Sequence, residues 1–480
     1  MRRRVTLAAL LLAGCHTPPQ YSGESLPRFL VDPATDTLPL PNTPAGAPVP
    51  VADRPAITLP DAVRECVLNN MRLKAAAERV SMAQADYITE SLIPNPQLLV
   101  DAQLLPVSII NFDNQAGPPQ YDALVTLPVD WFVFGKRVAA QAAARLNVDA
   151  AQAEFADQLR RQIALTVDSF YDALEADLAL KLAEQDLDAL RTLETVAAER
   201  AKADNKSTLE QRRVRLAILD TQREIRKRRA AAETTKSKLQ ANVGRPPDTP
   251  DFVVRGTLAV RATAPALTPN EAWALAERFR PDLIAAQRGV AAAESSVERE
   301  RRRGLPQVAV TSGVDFQDQK RITGFRNASL WTVAVNTSLP FTDRNQGRVL
   351  GAQASVRMAA ATLGALTADA RAEVEQAVAE YTEAVNGVTG EDVTSLRTAR
   401  EVRAETLAAY RAGDKDLVDA LDAERAYRDR LRNTLANLAD YWQALNHVNA
   451  AVGRRVLTAA EADRDSLLDD ARPKDAAPPK

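Results

Sequence analysis

Hydrophobic and polar positions follow two different periods along this chain. Within residues 97–134 and 306–341 they alternate with a period of two, as Trp331, Val333 and Val335 do with their more polar neighbours. A period of two predicts strands. The predicted strands span residues about 97–105, 121–131, 306–317 and 329–341. Each is about ten residues long, the length of a tilted membrane β-strand, and each pair is predicted to form a hairpin.

Helical periodicity dominates the rest of the chain. From Phe155 to Leu178 the large apolar residues recur every three or four positions, which is the spacing of one helix face. Proline-free stretches of this kind predict two long helical hairpins. Their helices span residues about 135–200, 206–244, 346–410 and 416–453. Shorter helices at about 61–92 and 270–303 are predicted before the strands, with a proline suiting each start.

The same order of elements occurs twice because the chain contains an internal repeat. Placing residue n beside residue n+210 aligns Pro96 with Pro306 and Tyr171 with Tyr381. The first repeat, the proline-rich linker and the second repeat span residues 57–245, 246–268 and 269–455. A repeat of this length is far longer than the units of solenoid proteins.

The first fifteen residues have the features of a bacterial lipoprotein signal. Three arginines precede an apolar run that ends at Cys15. The chain is predicted to be cleaved before Cys15, and Cys15 is predicted to carry the lipid. The alternative is an ordinary signal peptide with an incidental cysteine. His16 follows instead of Asp, which predicts delivery to the outer membrane. Residues 16–56 are predicted to be an extended proline-rich tether, and residues 456–480 a disordered tail.

Composition excludes several functional classes. Lys+Arg 61 against Asp+Glu 63 gives a net charge of −2, so the chain has no basic field that would bind nucleic acid. Two histidines and two cysteines are too few for a zinc, iron–sulfur or haem centre, and no metal or other cofactor is predicted. An enzyme is not predicted either, because no nucleophile–base pair, phosphate loop or metal-ligand cluster occurs.

The strand count limits the architecture. After the signal, no run of 18 apolar residues occurs, so a membrane crossing must use the strands. Four strands cannot close a barrel, and open edges are not viable in lipid, which predicts that several copies pool their strands. Two copies would give eight strands and three would give twelve. The alternative is a soluble, half-buried hairpin in each repeat.

The chain resembles the TolC-like outer-membrane factors, the exit ducts of tripartite efflux and type I secretion systems. The resemblance covers about residues 57–455, with both repeats in order, and its most specific stretch is residues 410–423, YRAGDKDLVDALDA. It implies a mostly α fold with a membrane β-barrel, built from a tandem repeat of helix, β-hairpin and long helical hairpin. It also implies a homotrimer, with a twelve-stranded β-barrel in the outer membrane on a periplasmic α-helical barrel.

Asp419 and Asp422 match the constriction aspartates of the family's periplasmic tip. Independently of the family, positions i and i+3 share a helix face, so several copies would bring these carboxylates to one narrow ring that favours cations. The alternative, for these and for the gate candidates below, is a solvated helix surface on which Asp422 pairs weakly with Arg425.

The candidates for an entrance gate come from both repeats. Tyr410 and Lys415 match residues that tie neighbouring helices together in the closed state of the family, and Gly413 is the glycine of the same turn. In the first repeat Asp204 stands in the expected glycine position, and Glu210 stands where an acid commonly occurs. Asp tolerates the left-handed turn conformation, so the turn is expected there too.

The predicted function is a passive outer-membrane exit channel that carries small molecules or metal ions from the periplasm to the exterior. The predicted partners are a periplasmic adaptor protein, an inner-membrane pump of the resistance-nodulation-division type, and outer-membrane lipid. Stretches at 92–96 and 135–137 are similar to the heavy-metal efflux branch and leave the substrate class open. The main alternative is a lipid-anchored periplasmic coiled-coil scaffold without channel activity.

Overall fold

The computed structural model describes most residues between 55 and 461. The described residues are 55–103, 118–203, 208–249, 251–263, 265, 267–320, 324–389, 391–458 and 460–461. The predicted signal peptide with Cys15, nearly all of the predicted tether and most of the predicted tail lie outside them. Asp204, in the predicted turn of the first repeat, also lies outside them.

The first repeat runs from a short strand into helices, a hairpin of strands and a long helical hairpin. Its elements are β1 Ala56–Ile57, α1 Leu59–Asn69, α2 Met71–Ser91, β2 Gln97–Gln103, β3 Gln120–Pro128, α3 Asp130–Val133, α4 Lys136–Ala203 and α5 Thr208–Val243. The linker adds β4 Val253–Val254 and β5 Val260–Ala262.

The second repeat has the same order of elements. They are α6 Pro269–Phe279, α7 Pro281–Arg303, β6 Val308–Gln317, β7 Ala328–Thr337, α8 Gln346–Thr389, α9 Glu391–Ala412 and α10 Leu417–Val452, followed by β8 Ala460–Glu461. Thr58 and Thr268 are the N-caps of α1 and α6 in the same capping-box arrangement. The two repeats therefore agree even in the hydrogen bonds that start their helices.

The predicted helices 61–92 and 270–303 are each divided in two in the structure. In the first repeat the division falls at Asn70, whose backbone is extended and whose side chain accepts from the N–H groups two and three residues later. In the second it falls at Arg280, because the residue before a proline avoids the helical region and Pro281 suits a first helical position. The prediction of single helices was wrong, because the apolar spacing continues across both divisions.

Two predicted strands are shorter in the structure than expected. β3 ends at Pro128, which has no N–H for further pairing, and Trp131 belongs to the short helix α3. β7 ends at Thr337 rather than near residue 341. The alternation of apolar and polar residues continues past both ends, so the pattern overstates the length of these strands.

The strands of both repeats join in one antiparallel sheet of order β2-β3-β6-β7. β3 and β6 pair across the repeats, with Gln120 opposite Gln317 and Pro128 opposite Ala309. Among the described strands, β2 and β7 have no partner on their outer sides. One chain therefore presents two open sheet edges.

The main core lies where the middle of α4 meets the carboxyl-terminal parts of α5 and α10. Tyr171 of α4 stacks on Trp442 of α10 with ring centroids 5.7 Å apart, and Trp442 donates its indole N–H to the carbonyl of Leu258. Leu258 and Phe252 are buried in this core and belong to the linker. The linker therefore does more than join the repeats, because its apolar side chains help to hold them together.

Two buried arginines fix the carboxyl end of α10. Arg280 is only 2% exposed and donates to Asp282 and Glu373, both at 2.7 Å. It also donates to a carbonyl in the last turn of α10, and Arg160 of α4 donates to the preceding carbonyl. Breaking a buried ion pair by removing one partner typically destabilises a fold by about 3–5 kcal/mol, so these links hold helices of both repeats against α10.

One helical stretch includes a segment that is apolar on average although it contains no unbroken run of 18 apolar residues. Among the described residues, the stretch Gln346–Ala412 contains an 18-residue window that is long and apolar enough to cross a membrane, and none of that window is buried in the protomer. A window can have a high mean hydropathy although it contains isolated polar residues, whereas a search for consecutive apolar residues rejects such a window. An apolar helix surface of this kind requires a neighbour, either lipid or another helix.

A second buried network lies closer to the turn between α9 and α10. Asp186 of α4 is buried, and its Oδ2 makes no hydrogen bond. Nη2 of Arg432 lies 3.8 Å from this oxygen, which is too far for a hydrogen bond. Glu424 of α10 accepts a 2.6 Å hydrogen bond from Arg403 of α9. Burial raises the pKa of Asp186 to about 6. Arg428, Arg432 and Arg403 oppose this rise in pKa, and Glu424 adds to it.

We predict that Asp186→Asn raises the thermal stability of the detergent-purified protein above pH 6. The pKa of Asp186 is higher in the folded than in the unfolded chain, so its ionisation opposes folding above about pH 6. This opposition disappears as the pH falls from about 6 toward about 4. The variant should gain up to about 3 kcal/mol at about pH 8 and nothing at about pH 4, measured as melting temperatures across that range.

Asp188→Asn is the matched control, because Asp188 is on the same helix and is 74% exposed. It should leave the melting temperature nearly unchanged at every pH. A gain in the Asp186 variant that does not depend on pH would contradict this explanation.

Candidate functional site

The two faces of the sheet differ in chemistry. One face carries large apolar side chains that are exposed in the protomer, with Trp331 at 76% and Val335 at 65%. Other exposed apolar residues of this face are Leu98, Val100, Tyr121, Val125, Val314 and Val333. The opposite face carries hydrogen-bonded polar side chains, such as Thr126 and Thr311, whose hydroxyl oxygens are 2.9 Å apart. Such a sheet fits hydrocarbon on one side and water on the other.

Three aspartates form a row across the polar face. The register places Asp101 opposite Asp122, and Asp122 opposite Asp315. Asp122 accepts hydrogen bonds from the amides of Gln103 (3.0 Å) and Gln120 (2.8 Å), whereas one carboxylate oxygen of Asp101 is buried without a hydrogen bond. The four strands contain no Lys or Arg. Like charges directly opposite each other destabilise a sheet, which indicates that the row serves a function.

The predicted tip motif forms a tight turn between α9 and α10. Gly413 has a φ of 95°, in the left-handed region that favours glycine. The N–H of Asp414 donates to the carbonyl of Ala409 at 2.9 Å, which is a common way to close a helix end. Asp416 is extended and precedes the first turn of α10. Gly413 therefore has a conformational role in this turn.

Tyr410 lies inside the protomer. Its side chain is completely buried in a cluster that includes Leu190 of α4, Val214 of α5 and Leu417 of α10. Its hydroxyl donates to Oε2 of Glu210 over 3.5 Å. Two gate candidates that lie 200 positions apart in the sequence are thus in contact, and Tyr410 is not a solvated surface residue.

Asp419 and Asp422 lie on the exposed side of the first turns of α10. Asp422 is 66% exposed and has a loose ion pair with Arg425 at 3.7 Å. Asp419 is also exposed, whereas the two residues between the aspartates are buried. Lys415 is exposed in the turn. Within one protomer these aspartates are on a solvated helix surface, so a constriction would require further copies of the chain.

Few side chains are arranged for metal or nucleophilic chemistry. Among the described residues, no group of three His, Cys, Asp or Glu side chains is placed to hold a metal ion. His447 lies between Asp168 and Glu380, each 3.3 Å from a different ring nitrogen. The hydrogen bond with Asp168 is the main cause that raises the pKa of His447 to about 9, so this ring is a charged link between helices. Burial raises the pKa of the Cys66 thiol, which makes it a poor nucleophile.

The aspartate row is a feature that sequence analysis alone did not find. The alternating pattern places Asp101, Asp122 and Asp315 on the polar side of their own strands. Alignment of the three side chains depends on the register between strands, and no local pattern encodes that register. An acid at a polar position of three of the four strands was the available signal.

Comparison with known proteins agrees with this geometry. A family model described as outer membrane efflux protein matches residues 274–454, most of the second repeat. The cobalt-zinc-cadmium resistance protein CzcC of Cupriavidus metallidurans is 25% identical over 421 residues, which cover 85% of this chain and 93% of that protein. The similarity to CzcC therefore extends through both repeats.

Solved structures share the fold. The outer-membrane channel OprN matches with a TM-score of 0.67 and 20% identity, over 82% of this chain and 89% of that chain. The outer membrane channel CmeC of Campylobacter jejuni matches with a TM-score of 0.67 and 14% identity, over 86% of this chain and 89% of that chain. The predicted fold class is confirmed as the mostly helical fold of TolC-like channels.

The matched family consists of channel or transport proteins and is not a family of enzymes. The repeated order of elements, the tip turn, the match to the efflux family and the shared fold all lead to the same conclusion. Residues 274–454 are similar to the outer membrane efflux proteins, and the chain shares the fold of TolC-like outer-membrane channels.

Proposed function

We propose that the chain forms the passive outer-membrane exit channel of a tripartite efflux pump. The observation that carries this proposal is a sheet with an exposed apolar face and two open edges, joined to very long helices. Helix α4 alone has 68 residues, which at 1.5 Å each reach about 100 Å. A soluble periplasmic scaffold would leave the apolar face and both edges in water, where they favour aggregation.

Closure of the barrel would follow from the strand order. β2 and β7 are the two edges of an even-numbered antiparallel sheet, so β7 of one copy can pair antiparallel with β2 of the next. Two copies would supply eight strands and three would supply twelve. The family resemblance favours three, so the working assembly is a homotrimer with a twelve-stranded barrel.

Helix packing between copies would complete the tube. The apolar window within Gln346–Ala412 has no cover in the protomer, and α8 contains many small alanine side chains. Small side chains allow close approach of neighbouring helices. We assign this surface to contact with the next copy, because α8 follows directly from the edge strand β7.

The tip of the helical tube would form the entrance. In a trimer, Asp419 and Asp422 would contribute six carboxylates to one constriction, and Gly413 would fix the turn that presents them. The Tyr410–Glu210 contact joins α9 to α5 in each copy, so it would hold the second helical hairpin against the first. Lys415, exposed in the same turn, would contact a neighbouring helix in the closed state.

Metal cations are the cargo that the charges favour. The aspartate row would place carboxylates inside the barrel, and the four strands contain no Lys or Arg to offset them. The acidic tip has the same preference for cations. CzcC, the relative aligned over 85% of this chain, is named for cobalt, zinc and cadmium resistance, which supports metal cations as substrates.

Localisation and partners complete the proposal. Cys15 would carry the lipid that anchors the chain to the outer membrane, and most of the chain would lie in the periplasm. A periplasmic adaptor protein and an inner-membrane pump of the resistance-nodulation-division type would supply the cargo and the energy, because a duct without catalytic groups can supply neither.

For the tip, we predict that Asp419→Asn/Asp422→Asn lowers the cation-over-anion permeability ratio of the purified channel in planar bilayers. Loss of about 1 kcal/mol of charge interaction corresponds to about fivefold. Asp429→Asn/Asp440→Asn removes the same charge from the same helix, farther from the tip, and should change the ratio much less. Equal effects of the two variants would exclude the tip as the constriction, and an absence of any conductance would favour the scaffold.

For the barrel, Asp101→Asn/Asp122→Asn/Asp315→Asn should also lower cation selectivity, by about fivefold or more, because the strands offer no other charge. The matched control is Thr126→Ser/Thr311→Ser, which changes a polar pair farther along the same face without changing its charge. Reversal potentials in a salt gradient give the permeability ratio for both variants. A selectivity that is insensitive to the aspartates would show that the barrel is too wide for this row to act.

For the gate, Tyr410→Phe should increase the open probability of the channel about twofold. The substitution removes a long hydrogen bond that holds the closed state, and such a bond contributes about 0.5 kcal/mol. Glu210→Gln should act in the same direction. Tyr427→Phe is the control, since the Tyr427 hydroxyl is buried without a hydrogen bond. Single-channel recordings that give the same opening for Tyr410→Phe and Tyr427→Phe would contradict a gating role for the contact.

A further inference from the structure

Four junctions connect the strands of the sheet to the helices below it, and each exposes large apolar side chains. They join α2 to β2, β3 to α4, α7 to β6 and β7 to α8. Phe132 and Phe341 are each 75% exposed at two of them. Leu92, Val133 and Leu339 are exposed in the same way. We call these five residues the apolar tier.

Basic side chains gather where the same junctions enter the helices. The helix ends 88–92, 130–137, 298–304 and 340–348 together contain eight Lys or Arg and five Asp or Glu, so the level is net positive. Six of these basic residues are called the basic tier: Lys136, Arg137, Arg301, Arg302, Arg344 and Arg348. Moving from the sheet into the helices, the apolar tier comes first and the basic tier second.

Part of the basic tier has structural partners within the chain. Arg302 donates to Glu298 at 2.7 Å and to the carbonyl of Phe134 at 3.1 Å. Arg137 donates to the carbonyl of Ser91 at 2.8 Å. These arginines brace the junctions, and their charge is partly used within the protein.

Three other arginines have no carboxylate partner among the described residues. They are Arg301, Arg344 and Arg348, all exposed. The guanidinium of Arg344 donates to the carbonyl of Pro340 at 3.3 Å. Arg348 lines a cavity of about 370 Å³ between α7 and α8. The same cavity contains Arg299, whose Nε is buried without a hydrogen bond although Oε1 of Glu300 is 3.3 Å away.

Helix electrostatics explain only some of these positions. Arg301 and Arg302 lie in the last turn of α7, where cations interact favourably with the helix dipole. Arg344 precedes α8 and Arg348 is in its first turn, whereas Lys136 at the start of α4 is already paired with Asp130 at 2.8 Å. Cations at a helix amino end are disfavoured by the dipole, so Arg344 and Arg348 require another source of stabilisation, and an external anion would supply it.

The order of the two tiers identifies the anion. On leaving the centre of a bilayer, the acyl chains come first, then the interface favoured by aromatic residues, and then the phosphate groups. We propose that the basic tier binds the phosphate of an anionic phospholipid in the periplasmic leaflet, with the apolar tier against its acyl chains. This inference rests on the outer-membrane location in the proposed function. Uncompensated arginines favour a head group with net negative charge over a zwitterionic one, by about fivefold for each arginine near the surface.

The test uses the full-length protein, purified in detergent and titrated with phosphatidylglycerol or phosphatidylethanolamine, with bound lipid counted by native mass spectrometry. Wild type should retain phosphatidylglycerol at least about fivefold better. Arg301→Gln/Arg344→Gln/Arg348→Gln should remove this preference, and the corresponding triple Lys variant should keep it. Arg212→Gln/Arg213→Gln/Arg223→Gln on α5 loses the same charge from exposed positions away from the junctions, and it should bind lipid as wild type does.

Several outcomes would overturn the inference. Equal retention of the two lipids by wild type would do so, and so would loss of preference in the α5 control. Displacement of phosphatidylglycerol by an equal concentration of inorganic phosphate would show a free-anion site instead. Circular dichroism and melting temperature verify that the Gln variant is folded. Planar-bilayer conductance separates the two proposals, because a conducting channel without lipid preference overturns only the lipid site, whereas no conductance in any lipid overturns the channel.

Discussion

Backbone hydrogen bonding at the two edges of the sheet constrains the whole molecule. Hydrocarbon offers no partner for the N–H and C=O groups along β2 and β7, so a sheet with an apolar outer face cannot remain four-stranded in a bilayer. The even number of antiparallel strands allows each copy to continue the sheet of the next. Since long helices follow directly from the strands, closure of the sheet also arranges the helices around one axis. Copy number, barrel and helical tube therefore depend on the same requirement.

Charge is separated onto different surfaces of the molecule. Carboxylates without basic partners lie on the polar face of the sheet, and arginines without carboxylate partners lie at the junctions below it. Most charges between the helices are instead paired, as Arg280 is with Asp282, although Asp186 has a buried oxygen without a hydrogen bond. A buried unpaired charge is strongly destabilising, and Asp122 and Asp315 are costly in this sense, because they are only 5% and 7% exposed and have no basic partner among the described residues. The overall net charge of −2 conceals this separation.

The two repeats provide similar halves, and the functional features arise where the halves differ. Both break their first helix, one at Asn70 through a capping side chain and the other at Arg280 before a proline. Only the second repeat has a glycine at the tip turn, Gly413. Tyr410 of the second repeat then contacts Glu210 of the first, so the entrance is assembled from both halves.

Much of this protein follows from the sequence by itself. The order and type of the main elements within residues 57–455 and the existence of a repeat were predictable, because strand and helix periods are local properties of about ten residues. The tip turn was predictable too, since Gly413 suits a left-handed position. Tertiary structure alone decided the alignment of the aspartates, the burial of Tyr410 against Glu210 and the role of the linker in the core. The physical reason is that each depends on contacts between residues far apart in the chain, as when Asn70 donates to the carbonyl of Asn242 at 2.7 Å, and no local period records such contacts.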